Sequence, residues 1–145
     1  MHDLPRKLSA EELAELFEGR TRLVELLSER ERPFAHAGEV IRTLTEAEKI
    51  EALDAHPAIG ATKLSARSAA EQGTEDEPAV VAELARLNAE YERKFGFRFV
   101  VFVNRRPKSA IVPVLRERLE RTREEELDTA LGELVVIAED RWLRR

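Results

Sequence analysis

The chain has 145 residues, of which 43% are hydrophobic, so it is long enough for one domain with its own core. Its net charge is -5, from 29 acidic and 24 basic side chains, whereas a nucleic-acid-binding protein needs a basic face to neutralise phosphates. The sequence contains no cysteine, which excludes disulfides, thiolate metal sites and cysteine nucleophiles. We therefore expect a single domain over residues 1–145 without a nucleic-acid partner.

Signals for a membrane or for secretion are also missing from the sequence. No apolar stretch approaches the roughly 20 residues that span a bilayer, and the N-terminus lacks the apolar run of a signal peptide. A chain without cysteine is compatible with a reducing cytosol. We therefore expect a cytoplasmic protein without a membrane partner.

Capping signals predict helices in the first part of the chain. Ser9–Glu12 and Thr45–Glu48 each have a hydroxyl residue followed three residues later by Glu, which is the pattern of a capping box. In such a box the hydroxyl and the carboxylate each accept a hydrogen bond from a free backbone N–H at the start of the helix. The first box predicts a helix that Gly19 can close, and leucine spacing predicts a second helix over Arg20–Arg30. The other box predicts a helix that ends at His56, because the proline after it disfavours α conformation there.

The second half of the sequence has the same helical character. A long helix is expected from about Pro78 to Gly96, with apolar residues at helical spacing along one face. Another helix follows Pro107, in which Pro113 is expected to cause a kink or a delayed start. A last helix is expected from about Arg123 to the end of the chain.

The run Phe97–Val103 has the composition of a β-strand. It is the only such run in the sequence, and a single strand has no partner to pair with. We interpret it as a buried extended or helical connector. The predicted fold is an all-α, single-domain multi-helix bundle with this one short connector near 97–103.

His56 is the first candidate for chemistry. A histidine at the C-terminus of a helix lies at the negative end of the helix dipole, which favours imidazolium, so His56 can serve as a proton donor near neutral pH. The alternative is a plain helix cap, which spacing alone favours by about two to one. His2 and His36 have no comparable setting, and we expect both at the surface.

Two further segments contain polar groups that fit either structure or chemistry. Ser68 to Glu71 is another capping box, so Glu71 either caps a short helix or forms a polar cluster with Ser68 and Gln72 on one tight turn. Arg141 lies on the same helix face as Ile137. Its side chain either snorkels past the core, which is about four times as common, or points into a polar pocket suited to binding a carboxylate.

Taken together and in order, these segments resemble the 2-oxo-4-hydroxy-4-carboxy-5-ureidoimidazoline (OHCU) decarboxylases, and the resemblance covers nearly the whole chain. The matching motifs are His56-Pro57 with Ile59-Gly60, Leu64-Ser65-x-x-Ser68-x-x-Glu71-Gln72, Leu87-Asn88-x-x-Tyr91-x-x-Lys94-Phe95-Gly96-Phe97-x-Phe99-Val100, Glu126-Leu127-x-x-Ala130 and Ile137-Ala138-x-x-Arg141.

The resemblance implies an all-helical homodimer without metal or organic cofactor that decarboxylates OHCU to (S)-allantoin during urate degradation. Its substrate is a small purine-derived anion. The family's catalytic residues fall on His56, Glu71 and Arg141. Its substrate contacts fall on Pro57, Ser68 and Gln72, and its pocket-lining segment falls on Phe99 and Val100.

Two other interpretations stay open at this point. The first is a non-enzymatic helical interaction module that retains the fold without the chemistry. The second is a metal hydrolase using Asp54, His56 and Glu71, which we rank last because three scattered histidines without cysteine give no recognisable ligand spacing.

Overall fold

The computed structural model describes residues 7–57 and 77–144, and it forms seven α-helices within them. In chain order they are α1 (Ala10–Phe17), α2 (Arg22–Ser28), α3 (Ala37–Thr43), α4 (Glu46–Asp54), α5 (Pro78–Phe95), α6 (Lys108–Leu119) and α7 (Arg123–Arg144). Those residues contain no β-strand, which confirms the predicted all-α fold. None of these helices combines the length and apolarity that crossing a membrane requires.

Both predicted capping boxes start helices. At α1, the Ser9 hydroxyl accepts from the backbone N–H of Glu12 and the Glu12 carboxylate accepts from that of Ser9, each at 3.0 Å. Thr45 and Glu48 make the same pair of bonds at the start of α4, at 3.1 and 2.8 Å. The short helix α3 was not predicted, because His36 precedes it without making a side-chain capping bond.

Two expectations about helix ends are wrong. The left-handed residue that closes α1 is Glu18, with φ of 66°, whereas Gly19 was expected there. Of the two effects expected of Pro113, a kink or a delayed start, the delayed start is wrong, since α6 begins at Lys108 and continues through the proline to Leu119. Gly96 does close α5 as predicted, with φ of 81°.

The connector 97–103 follows Gly96 without regular secondary structure, and five of its seven residues are buried. The prediction of a buried extended connector is therefore confirmed. Helix α7 contacts α1, α3 and α4, while α5 packs against α6. Helix α7 thus contacts both α1 and α4, and the candidate site lies at the C-terminal ends of these three helices.

Candidate active site

His56 lies just beyond the last residue of α4. Its backbone N–H donates to the carbonyl of Leu53 at 3.1 Å, which continues the helical hydrogen bonding by one turn. The residue is only 7% exposed. Among the described residues its buried Nδ1 has no hydrogen-bond partner, and a buried polar atom of that kind points to a function or a missing partner.

Arg98 binds the chain segment that carries His56. Its Nη1 donates to the carbonyl oxygens of His56 at 2.6 Å and of Asp54 at 3.2 Å. Its backbone N–H also donates to Oδ1 of Asp54 at 3.2 Å. Arg98 therefore caps the C-terminus of α4 and joins it to the connector. The sequence analysis missed this role, because the alternating pattern of the connector shows only that Arg98 faces away from its apolar neighbours.

Arg141 is buried inside the protein, with only 2% of its surface exposed. Its Nη1 donates to the carbonyl of Leu16 at 2.9 Å, near the end of α1, and lies 3.6 Å from Oε1 of Glu18. The interpretation that spacing favoured, a side chain that snorkels to solvent, is therefore wrong. The guanidinium instead lies in a polar interior site.

The electrostatics of His56 differ from the sequence-based expectation. Burial, followed by the positive charges of Arg141 and Arg98, lowers the pKa of His56 from 6.5 to about 3. The expected imidazolium is therefore wrong, because removal from water disfavours the charged form and Arg98 already occupies carbonyls at the negative end of the helix. At neutral pH the imidazole is therefore neutral.

Some of the site residues predicted from the sequence lie near one another in the structure. His56 and Arg141 are both buried and interact electrostatically. Pro57 is half-buried next to His56, and the buried residues Phe99 and Val100 follow Arg98 directly in the connector. Three predicted site residues, Ser68, Glu71 and Gln72, lie outside the described residues.

A second buried polar network, centred on Glu126, also contacts the connector. Glu126 is fully buried, and its carboxylate accepts from the Tyr91 hydroxyl at 2.5 Å, from Arg118 at 2.7 Å and from Arg121 at 2.9 Å. Burial, and then the hydrogen bond to Glu126, raise the pKa of Tyr91 above its usual range, so its hydroxyl remains a donor.

Arg118 links this network to the connector. Its Nη1 donates to the carbonyl of Val100 at 2.8 Å, and its guanidinium lies 4.6 Å from the centre of the Phe99 ring. These contacts hold in place the segment that the resemblance assigns to the pocket wall. The motifs contained Tyr91 and Glu126, but nothing in their spacing predicted that the two side chains meet.

The metal-hydrolase interpretation can be compared with the described residues. Among residues 7–57 and 77–144, no three His, Asp or Glu side chains gather as metal ligands would. Asp54 accepts the backbone N–H of Arg98. The metal-hydrolase interpretation therefore gains no ligand cluster from this part of the chain.

Comparison with known proteins gives sequence matches over most of the chain. The family model described as OHCU decarboxylase matches residues 2–143. A 2-oxo-4-hydroxy-4-carboxy-5-ureidoimidazoline decarboxylase of Haloferax volcanii is 30% identical over 126 residues, which cover 79% of this chain and 75% of that protein. One of the same name from Halalkalicoccus jeotgali is 31% identical over 68% of this chain, a match that spans 58% of that relative.

Solved structures agree with the sequence matches. A crystal structure of OHCU decarboxylase in the presence of (S)-allantoin superposes with a TM-score of 0.75, at 25% identity, over 90% of this chain and 94% of that one. An (S)-allantoin synthase shares the fold with a TM-score of 0.70 at 23% identity, over 93% of this chain and 48% of that one. Since the family model spans nearly every residue, this chain belongs to the OHCU decarboxylase family.

Proposed function

We propose that this chain catalyses the cofactor-independent decarboxylation of OHCU to (S)-allantoin in urate degradation. Membership of the decarboxylase family supports the reaction class, and a solved relative crystallised in the presence of (S)-allantoin supports the product. The observation that carries the proposal is the burial of a neutral imidazole, His56, in the electrostatic field of a buried guanidinium, Arg141. A purely structural helical module would have no need for such a pair.

The substrate supplies its own electron sink. When the carboxylate leaves as carbon dioxide, the electron pair of the broken C–C bond moves into the neighbouring ring C=N. The hydroxyl on the same carbon loses its proton as it becomes a carbonyl, and the ring takes up protons, one of them on carbon, so that one proton is consumed overall. No pyridoxal or thiamine is required, because such cofactors provide electron sinks to substrates that lack them.

Each described site residue then has a specific task. His56 begins neutral, and the bound anionic substrate offsets the charges of Arg141 and Arg98 that lower its pKa, so that the imidazole can accept the proton of the substrate hydroxyl, as general bases do with effects of about 10²–10⁴-fold. Arg141 binds the anionic substrate, and its charge is most useful against the negative charge that grows on the ring, since a tight grip on the departing carboxylate would stabilise the ground state. Pro57, Phe99 and Val100 form the apolar wall.

The roles of Ser68, Glu71 and Gln72 rest on their positions in the motifs alone. Ser68 and Gln72 are proposed to contact the substrate. Glu71 is proposed to orient and polarise His56 or to be the second proton carrier, and a carboxylate near the unpartnered Nδ1 of His56 would satisfy that atom.

The decisive experiment generates OHCU freshly from urate with the two upstream enzymes and follows allantoin by circular dichroism. The chain is expected to accelerate formation of one enantiomer over the slow, racemic spontaneous decay. His56→Ala and Glu71→Ala should abolish this acceleration while helix content is retained, and His36→Ala is the matched control because that imidazole is half exposed.

Two outcomes would contradict the proposal. If the purified chain neither accelerates the reaction nor binds (S)-allantoin, the non-enzymatic helical module becomes the better interpretation. If Glu71→Ala lowers only the melting temperature, Glu71 is a helix cap and not a catalytic residue.

The homodimer and the cytoplasmic location belong to the same proposal. Val136 and Leu143 lie seven positions apart on α7 and are 41% and 42% exposed, so they present apolar surface on one face of that helix. Light scattering coupled to size exclusion measures the mass in solution. A mass of one chain at micromolar concentration would contradict the dimer, and cell fractionation checks the location.

A further inference from the structure

The turn between α1 and α2 contains a residue in an unfavourable backbone conformation. Glu18 has φ of 66°, in the left-handed region, which is unfavourable for a residue with a side chain. A glycine follows it directly, yet the left-handed position is occupied by glutamate. Strained residues of this kind persist where the surrounding structure holds them in place, so the contacts of Glu18 indicate what keeps it in this conformation.

The Glu18 side chain is directed toward the buried guanidinium. Its carboxylate Oε1 lies 3.6 Å from Nη1 of Arg141, and the two side chains are only 12% and 1% exposed. The same Nη1 donates to the carbonyl of Leu16, two residues earlier. The end of α1 and its turn therefore bind Arg141 through one neutral acceptor and one charged partner.

The next residue of the turn contacts the other side of the site. A Cβ atom built on Gly19 would lie 3.0 Å from Cβ of Ala55, closer than nearly all real contacts of this kind. Gly19 is not in the left-handed region, so the reason for a glycine here is the absence of a side chain, which lets the turn approach Ala55 closely. The turn backbone thus lies against the residue that directly precedes His56.

We propose that the Glu18–Gly19 turn sets the position of Arg141 relative to His56, with Glu18 as the positioning residue of the guanidinium. Glu18 fixes the guanidinium from one side, and the close packing of Gly19 on Ala55 fixes the distance from the turn to the imidazole segment. The catalytic consequence of this arrangement rests on the proposed function, but the geometry does not.

The first test removes the charge of Glu18. Glu18→Gln keeps the side-chain size, and it is expected to lower kcat/KM at least about tenfold, mainly through a higher KM, because a misplaced binding group weakens a reaction far more than its contact energy suggests. The affinity for (S)-allantoin should fall in parallel. Glu15→Gln, an exposed residue of the same helix, is the matched control. Turnover and affinity equal to or better than wild type would overturn the proposal.

The second test is a double-mutant cycle on the close contact. Gly19→Ala should displace the turn from α4 and lower kcat/KM per folded molecule, and Ala55→Gly in the same chain should restore it, since the opposing methyl group is gone. Gly132→Ala in α7 is the control, because a Cβ there meets nothing within 4 Å. The proposal would be contradicted if Gly19→Ala lowered activity only in proportion to the loss of folded protein. It would also be contradicted if adding Ala55→Gly did not restore kcat/KM.

A readout other than activity separates this proposal from the proposed function. The Nε–Hε cross-peak of Arg141 in a ¹H–¹⁵N spectrum reports the surroundings of the guanidinium, and Glu18→Gln should shift or broaden it while Glu15→Gln should not. If the wild-type chain makes no allantoin, the proposed function fails while this spectrum still tests the turn. An unchanged cross-peak would overturn the positioning role even in an active enzyme.

Discussion

At the scale of single residues, the imidazole of His56 couples the stability of the protein to pH. In the unfolded chain its pKa is near the ordinary 6.5, whereas burial and the charges of Arg141 and Arg98 lower the pKa in the folded protein to about 3. Below pH 6.5 the unfolded state therefore binds more protons than the folded state, and stability falls as the pH decreases toward 3. Above pH 6.5 this contribution is fully present.

We expect chemical denaturation to reveal this coupling. Between pH 7 and pH 5, the titration of His56 should lower the free energy of unfolding of the wild-type protein by about 2 kcal/mol. The glutamine of His56→Gln does not titrate between pH 7 and pH 5. The stability loss of this variant over that interval should therefore be smaller than that of the wild type by about 2 kcal/mol. His36→Gln, which replaces a half-exposed imidazole, should keep the wild-type decline. Equal declines in wild type and His56→Gln would contradict a neutral, buried His56.

At the scale of elements, α4 is held at both ends by groups with separate tasks. Thr45 caps the N-terminus, and Arg98 binds the carbonyls at the C-terminus beside His56. The helix has nine residues, so the two ends are about 13 Å apart. Loss of the Thr45 cap, which is far from His56, should affect only stability. Loss of the Arg98 contacts, which lie beside His56, should affect both stability and the site.

The two ends of α4 can be compared by substitution. Thr45→Ala should lower the free energy of unfolding by about 1 kcal/mol, because it leaves a backbone N–H without its acceptor, and should leave turnover per folded molecule unchanged. Arg98→Met keeps an apolar stem but removes the guanidinium, and should lower turnover per folded molecule as well as stability. Urea denaturation and steady-state assays measure both quantities. Equal turnover in both variants would show that Arg98 only caps the helix.

The elements also show where sequence reasoning succeeded. Ser9 and Thr45 were placed correctly because a capping box uses only contacts within four residues of chain. Helix α3 was missed since His36 offers no such local signal. Pro113 was expected to kink α6 or to delay its start, but the helix begins five residues before it and continues through it, because packing of its buried face outweighs one lost hydrogen bond.

At the scale of the whole molecule, the carboxylate of Glu126 joins three helices and the connector. It is fully buried in α7 and binds Tyr91 of α5 and Arg118 of α6, and Arg118 in turn binds the carbonyl of Val100. A buried charge is tolerated only when it is paired and hydrogen-bonded, so removal of a partner is costly. The network therefore serves the bundle and the pocket wall together.

This network allows a graded prediction. Arg118→Met should lower the free energy of unfolding by about 3–5 kcal/mol, because it leaves buried Glu126 poorly compensated. Tyr91→Phe removes only one donor to that carboxylate and should cost about 1–3 kcal/mol. Arg116→Met is the matched control in the same helix, where the exposed arginine pairs with Glu83 at the surface and should contribute little to stability. Similar losses at Arg118 and Arg116 would contradict the prediction.

The helical class, the helix starts at Ser9 and Thr45, the stop at Gly96 and the buried connector could all be predicted from the amino-acid sequence, because each depends on contacts between residues close in the chain. The resemblance to the family was also readable from the sequence, through five motifs in order. The state of the site could be learned only from the folded protein, in which Arg141 points inward toward Glu18 and Arg98 donates to the carbonyl of His56. These outcomes depend on contacts across distant parts of the chain and on the exclusion of water, and local spacing encodes neither.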